Sequence, residues 1–107
     1  ELCTDGKVCH GAELMYTFNL MECPAGALTD TDRAVGDIVS GYWINFIHSG
    51  DPNVGPIQVK YSTWPKYSVD NPRTLQFTSN PNKRIVGDTY KRPCNFWDKL
   101  PYSGYVI

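Results

Sequence analysis

The sequence predicts a chain of two helices and one or two short strands that packs against a larger body rather than forming an independent domain, and three observations carry that expectation. Residues 31–48 have sustained helical periodicity, whereas strand-like patterns are confined to two short runs, 57–59 and 73–77. Around those runs lies a tract holding Pro52, Pro56, Pro65, Pro72 and Pro81, which suits loops rather than layers. A chain of 107 residues should bury roughly 60–70% of its unfolded surface. These elements supply little of the layered sheet or bundle that would do so, and the aromatic faces left over want a partner.

Taken in order, residues 1–8 are polar and turn-prone through Thr4-Asp5-Gly6, a loop that leads to and presents His10. That residue stands out, because imidazole is the side chain whose unperturbed pKa, about 6.5, lets it take and give a proton near neutrality. Gly11 beside it permits close approach by backbone or substrate. By itself such a histidine is more often a surface or packing residue than a catalyst. Residues 13–20, with Leu14, Met15, Tyr16, Phe18 and Leu20, fit neither period cleanly and read as one short apolar helix turn or as an irregular, well-buried crossing, the second being favoured.

Pro24-Ala25-Gly26 breaks that segment, and Thr29-Asp30-Thr31-Asp32 offers an N-cap and first-turn acids to the helix behind it. Val35, Ile38, Val39, Tyr42, Trp43, Phe46 and Ile47 recur at spacings of three and four, the apolar face of an ordinary core-facing helix rather than a cofactor wall. Gly50 suits a left-handed cap, and Pro52 cannot continue the helix. His48 in the last turn suits the helix dipole and is assigned no chemistry. Of the two strand-like runs, 73–77 is the better, with Leu75 and Phe77 alternating. Trp64-Pro65-Lys66-Tyr67 reads as loop packing rather than a stacking platform for a sugar or base. Residues 90–100 carry Cys94, Phe96, Trp97 and Leu100 at helical spacing with Pro101 as a stop, which predicts a short terminal helix.

Composition narrows the partners. A formal net charge of -1 and no basic run longer than a pair give no electrostatic footprint for nucleic acid or an anionic membrane. No segment approaches the ~20 apolar residues of a membrane span, so no transmembrane segment is expected in this chain. The start at Glu1, without an initiator methionine or signal-peptide pattern, suggests a processed or cleaved product. Four cysteines, Cys3, Cys9, Cys23 and Cys94, favour secretion or another oxidising compartment. Their spacing argues against zinc, and no metal or cofactor is expected. Four cysteines allow three complete pairings; Cys3 and Cys9 are near enough to close a small loop ahead of His10 and are the favoured pair.

Cys-His-Gly-Ala-Glu-Leu at 9–14, with Tyr16 and Phe18 behind it, resembles the histidine motif of the type-B carboxylesterase, lipase and cholinesterase family. Tyr42-Trp43-Ile44-Asn45-Phe46, Ser49-Gly50-Asp51-Pro52-Asn53, Trp64-Pro65-Lys66-Tyr67 and Phe96-Trp97-Asp98 match that family's C-terminal run in the same order. The resemblance implies that residues 1–107 are the C-terminal segment of a single α/β-hydrolase catalytic domain: histidine loop, long amphipathic helix, short final strand and terminal helix. It would be completed by the N-terminal part of the same esterase, as a separate chain or cleaved fragment. In this fold the triad runs nucleophile, acid, histidine along the chain, and no G-x-S-x-G elbow occurs here, so nucleophile and acid are expected outside these residues.

His10 would then be the general acid–base of ester hydrolysis through a serine acyl-enzyme, acting on a small-molecule or lipid ester. Glu13 is rejected as the triad acid, because three residues along the same tight loop is a poor place from which to orient the ring. The family's Cys-x5-Cys-His-Gly matches Cys3 and Cys9, and its cholinesterase branch implies that Cys94 bridges to the missing part or else to Cys23. Two other readings compete. One is a recognition or adhesion protein on the same fold that has lost its nucleophile, and the other is a small disulfide-stapled secreted domain that unfolds cooperatively by itself.

Overall fold

In the computed structural model, which describes residues 10–20, 28–80, 85–87 and 90–100, the elements run α1 (Leu14–Thr17), α2 (Asp30–Ser49), β1 (Thr74–Gln76), β2 (Ile85–Gly87) and α3 (Lys91–Trp97). Thr29 starts the dominant helix, α2, through a capping box. Its hydroxyl oxygen accepts the Asp32 N–H at 3.2 Å, and the Asp32 carboxylate accepts the Thr29 N–H at 2.9 Å. Asp30 and Asp32 in the first turn and His48 in the last complement the helix dipole. Gly50 ends the helix as expected, in the left-handed region at φ 78°, with its N–H donated to the Phe46 carbonyl.

The apolar stripe of α2 is buried only around its middle. Ile38, Val39 and Tyr42 are the buried apolar side chains among the described residues, whereas Phe46 is 51% and Ile47 79% exposed. The expected core-facing helix is therefore core-facing over part of its length. Residues 52–64 return along one flank and cover Tyr42 and Asn45; no described element covers Trp43, Phe46 and Ile47.

Two local expectations are corrected. Residues 57–59 form no strand, because the Asn45 side chain occupies the pairing groups of Ile57. It accepts the Ile57 N–H at 3.0 Å and donates to the Ile57 carbonyl at 2.8 Å, as a neighbouring strand would. Residues 13–20 are neither irregular nor well buried: they contain the single helical turn α1, and Leu14, Phe18 and Leu20 are exposed. Glu13, Leu14 and Met15 are good helix formers, and among the described elements the turn packs against α2.

The run at 73–77 does yield a strand, β1, paired antiparallel with β2 in the register Thr74↔Gly87, Leu75↔Val86 and Gln76↔Ile85. The terminal helix is present as α3, with Pro93 in its first turn, where a missing N–H leaves no intrahelical bond unmade. Every residue of α3 is exposed, and Phe96 and Trp97 meet edge to face at 5.4 Å. Helices and a two-stranded ribbon thus give the chain α/β content.

Candidate functional site: the histidine turn and its supports

His10 is exposed, in the turn that enters α1. Gly11 follows at φ 81°, a conformation L side chains rarely adopt, and its carbonyl accepts the Leu14 N–H at 3.1 Å. A Cβ at Gly11 would lie 3.6 Å from Leu14 Cδ1, an ordinary contact, so it is the backbone twist and not space that requires glycine. Glu13 is the exposed N-cap of α1 and makes no side-chain capping bond. Asn19, at φ 51°, turns the chain away beyond the helix.

Two side-chain bonds tie this segment to α2. The Tyr16 hydroxyl donates to Asp32 Oδ1 at 3.1 Å, and Asn19 Nδ2 donates to Asp37 Oδ1 at 3.1 Å. The Asp32 carboxyl is held below its ordinary pKa of 3.8, first by the Thr29 hydroxyl and then by the Thr29 N–H; burial opposes them, and the Tyr16 hydroxyl makes the smallest contribution, a lowering one. The Tyr16 hydroxyl is pushed above its ordinary 10.0 by burial, and further by its bond to the Asp32 carboxylate and by that group's charge. Both shifts favour the pair observed, phenol with carboxylate.

The other ordered region lies beyond α2. Asn45 is fully buried, and besides its two bonds to Ile57 it donates to the Pro52 carbonyl at 3.3 Å. Asn53 treats Trp64 as Asn45 treats Ile57: its Oδ1 accepts the Trp64 N–H at 2.7 Å, and its Nδ2 donates to the Trp64 carbonyl at 2.9 Å. Asp51 Oδ1 in turn accepts the Asn53 N–H and Nδ2. Gly55 passes so close that a Cβ there would lie 2.4 Å from Asn45 Oδ1.

Trp64, held at its backbone, packs its ring against Tyr42 and Phe77 at centroid separations of 5.4 and 5.8 Å. The Tyr42 hydroxyl donates to the Ser62 carbonyl. Trp64-Pro65-Lys66-Tyr67 is therefore packing at Trp64, while Tyr67 is exposed. An open cleft of about 600 Å³ lies against this cluster, lined by Tyr42, Trp43, Phe46, Pro52, Trp64 and Lys66. His10 does not line it, so the histidine turn and the cleft are separate features.

Among the described residues, no group of three or more His, Cys, Asp or Glu gathers as a metal site, and no helix is long and apolar enough to cross a membrane. Cys94 is exposed on α3 with a free thiol. Cys3, Cys9 and Cys23, and with them the expected Cys3–Cys9 bridge, lie outside the described residues. Sequence reasoning missed both asparagine clamps and the Tyr16–Asp32 bond. One signal for Asn45 was present: a polar residue three positions after Tyr42 on the buried stripe, which must find partners there.

The sequence profile of the carboxylesterase family matches residues 4–97, and the chain belongs to that family. Among proteins similar to it, the bile salt-activated lipase of Homo sapiens is 30% identical over 83 residues, covering 78% of this chain and 10% of the lipase. Its counterpart in Mus musculus is 35% identical over 69 residues, covering 64% of this chain and 11% of the lipase. Acetylcholinesterase 1 of Caenorhabditis elegans is 30% identical over 96 residues, covering 84% of this chain and 16% of that protein. The chain thus spans 10% to 16% of the length of these relatives.

Proposed function

We propose that this chain is the C-terminal segment of a carboxylic ester hydrolase and supplies its general acid–base, His10. The observation that carries the reading is the carboxylesterase-family match over residues 4–97, within which His10 lies exposed on a turn. The rest of the esterase contributes the serine nucleophile and the acid that orients the imidazole, and it covers the bare face of α2 at Trp43, Phe46 and Ile47. Four cysteines suit such an enzyme to an oxidising or extracellular compartment.

His10 takes the serine proton as the oxygen attacks the ester carbonyl. The tetrahedral intermediate expels the alcohol, which leaves with that proton. Water then attacks the acyl-enzyme, giving its proton to His10, and the acid departs as the proton returns to serine. The route needs neither metal nor cofactor, and its substrate class is a small-molecule or lipid ester.

General acid–base catalysis contributes roughly 10²–10⁴-fold. In the full-length enzyme, His10→Ala should lower turnover of a short-chain aryl ester by about that factor. An unchanged rate overturns the role of His10. A wild-type protein that neither hydrolyses esters nor reacts with a fluorophosphonate probe would instead be a recognition protein without a nucleophile.

A further inference from the structure

We propose that Tyr16 and Asp32 are positioning residues for His10: the Tyr16 hydroxyl, seated on Asp32 Oδ1, latches the histidine turn to α2 and so places the imidazole for proton transfer. The inference rests on the acid–base role proposed for His10.

α1 is four residues long, too short to persist as a helix by itself. Its conformation depends on what it is tied to, and among the described residues Tyr16 is tied to Asp32 and Asn19 to Asp37. From Tyr16 back towards His10 the backbone is a continuous set of turns. The Tyr16 and Thr17 N–H groups donate to the Glu13 carbonyl, and the Leu14 N–H donates to the Gly11 carbonyl next to His10. A shift of the Tyr16 ring is therefore transmitted along this run to the imidazole.

The anchor suits the task. Asp32 Oδ2 accepts both the N–H and the hydroxyl of Thr29, at 2.9 and 2.6 Å, while Oδ1 accepts from Tyr16. One carboxylate thus caps the long helix with one oxygen and holds the histidine turn with the other. Bound to Thr29, it is not free to swing after a moving tyrosine. Removal of the Tyr16 hydroxyl leaves the capping box and α2 intact, so the latch is separable from the stability of the helix it is fixed to.

The test uses the full-length enzyme, with rates expressed per active site titrated by a fluorophosphonate probe. Misplacing a reacting group by about 1 Å can cost about 10²-fold in rate, and loss of this tie should give part of that. Tyr16→Phe is expected to lower kcat about 5- to 30-fold with KM within about twofold of wild type. In an Asp32→Ala background, Tyr16→Phe should lower kcat no further, because the bond is already gone. An unchanged kcat in Tyr16→Phe, a rise in KM alone, or an equal loss from Tyr16→Phe in both backgrounds overturns the latch. His10→Ala, measured alongside, keeps the two failures apart. If it is inactive while Tyr16→Phe is wild type, only the latch is wrong; if it turns over at the wild-type rate, the role of His10 is wrong as well.

Discussion

The segment around His10 and the segment that succeeds α2 are both irregular, yet they are held in opposite ways. Beyond α2, Asn45 and Asn53 each satisfy a backbone N–H and a backbone carbonyl of the returning chain, at Ile57 and Trp64, and Asn45 is fully buried. Around His10, the ties run from one side chain to another, Tyr16 to Asp32 and Asn19 to Asp37, and His10 itself is exposed. Breaking the Asn45 clamp strands part-buried backbone groups of Ile57, which costs about 1–3 kcal/mol per group, whereas the Asn53 bonds to Trp64 are exposed. Around His10 the Asn19–Asp37 bond is exposed, so breaking it leaves groups that water can serve, whereas the Tyr16–Asp32 bond is part-buried. The segment beyond α2 is thus held as scaffold through its backbone, whereas the described hydrogen bonds that join the histidine turn to α2 run between side chains.

His10→Ala should separate the two most sharply. A surface substitution of this kind changes stability by within about 0.5 kcal/mol, so the thermal midpoint should barely move while turnover falls roughly 10²–10⁴-fold. A large drop in midpoint would show that the histidine turn is scaffold after all. Asn45→Ala is expected to do the reverse, destabilising the protein by about 2–4 kcal/mol through the orphaned N–H and carbonyl of Ile57. Asn45→Asp should be comparably damaging, because it sets a carboxylate oxygen against the carbonyls that Nδ2 now serves. Gly55→Ala should come next at about 1–3 kcal/mol, since the new methyl would overlap the Asn45 amide. Denaturant midpoints measure all three, and a neutral Asn45→Ala would remove the distinction drawn between the segments.

The scaffold's framework was legible in the sequence because its signals are local. Thr29 and Asp32 lie three apart and Gly50 comes just after the last apolar-periodic residues, so both ends of α2 could be placed within two residues. β1 showed through the alternation of Leu75 and Phe77, whereas its partner β2 is three residues long and too short to have a period. Residues 57–59 carried a strand pattern whose pairing groups are taken by a side chain twelve residues earlier, which no local pattern records. The apolar run at 13–20 implied burial, but burial needs an opposing surface, and among the described elements α2 alone supplies one, on one side. The motif around His10 singled it out as the candidate. The bond that ties its turn was not legible, because Tyr16 and Asp32 are 16 residues apart and meet only once α1 folds against α2.

The smallest effects probe the join between the two segments. Thr29→Ala removes the hydroxyl that caps α2 and fixes the Asp32 carboxylate, and should cost about 1 kcal/mol of stability. The pH dependence is more discriminating. Asp32 is more acidic in the folded protein than its ordinary 3.8, so its contribution is present above that pH and is lost as pH falls through the folded value. Tyr16 is less acidic than its ordinary 10.0, so its contribution is present below that pH and is lost as pH rises through the folded value. The contact should therefore hold between the two, across the whole range in which an imidazole titrates. Thermal midpoints measured against pH should show Tyr16→Phe abolishing this alkaline loss while leaving most of the acid loss, which belongs to Asp32 and Thr29. If Tyr16→Phe instead removed the acid loss, the carboxylate would owe its low pKa to tyrosine rather than to the helix cap, and the histidine turn would belong to the same scaffold as the asparagine clamps.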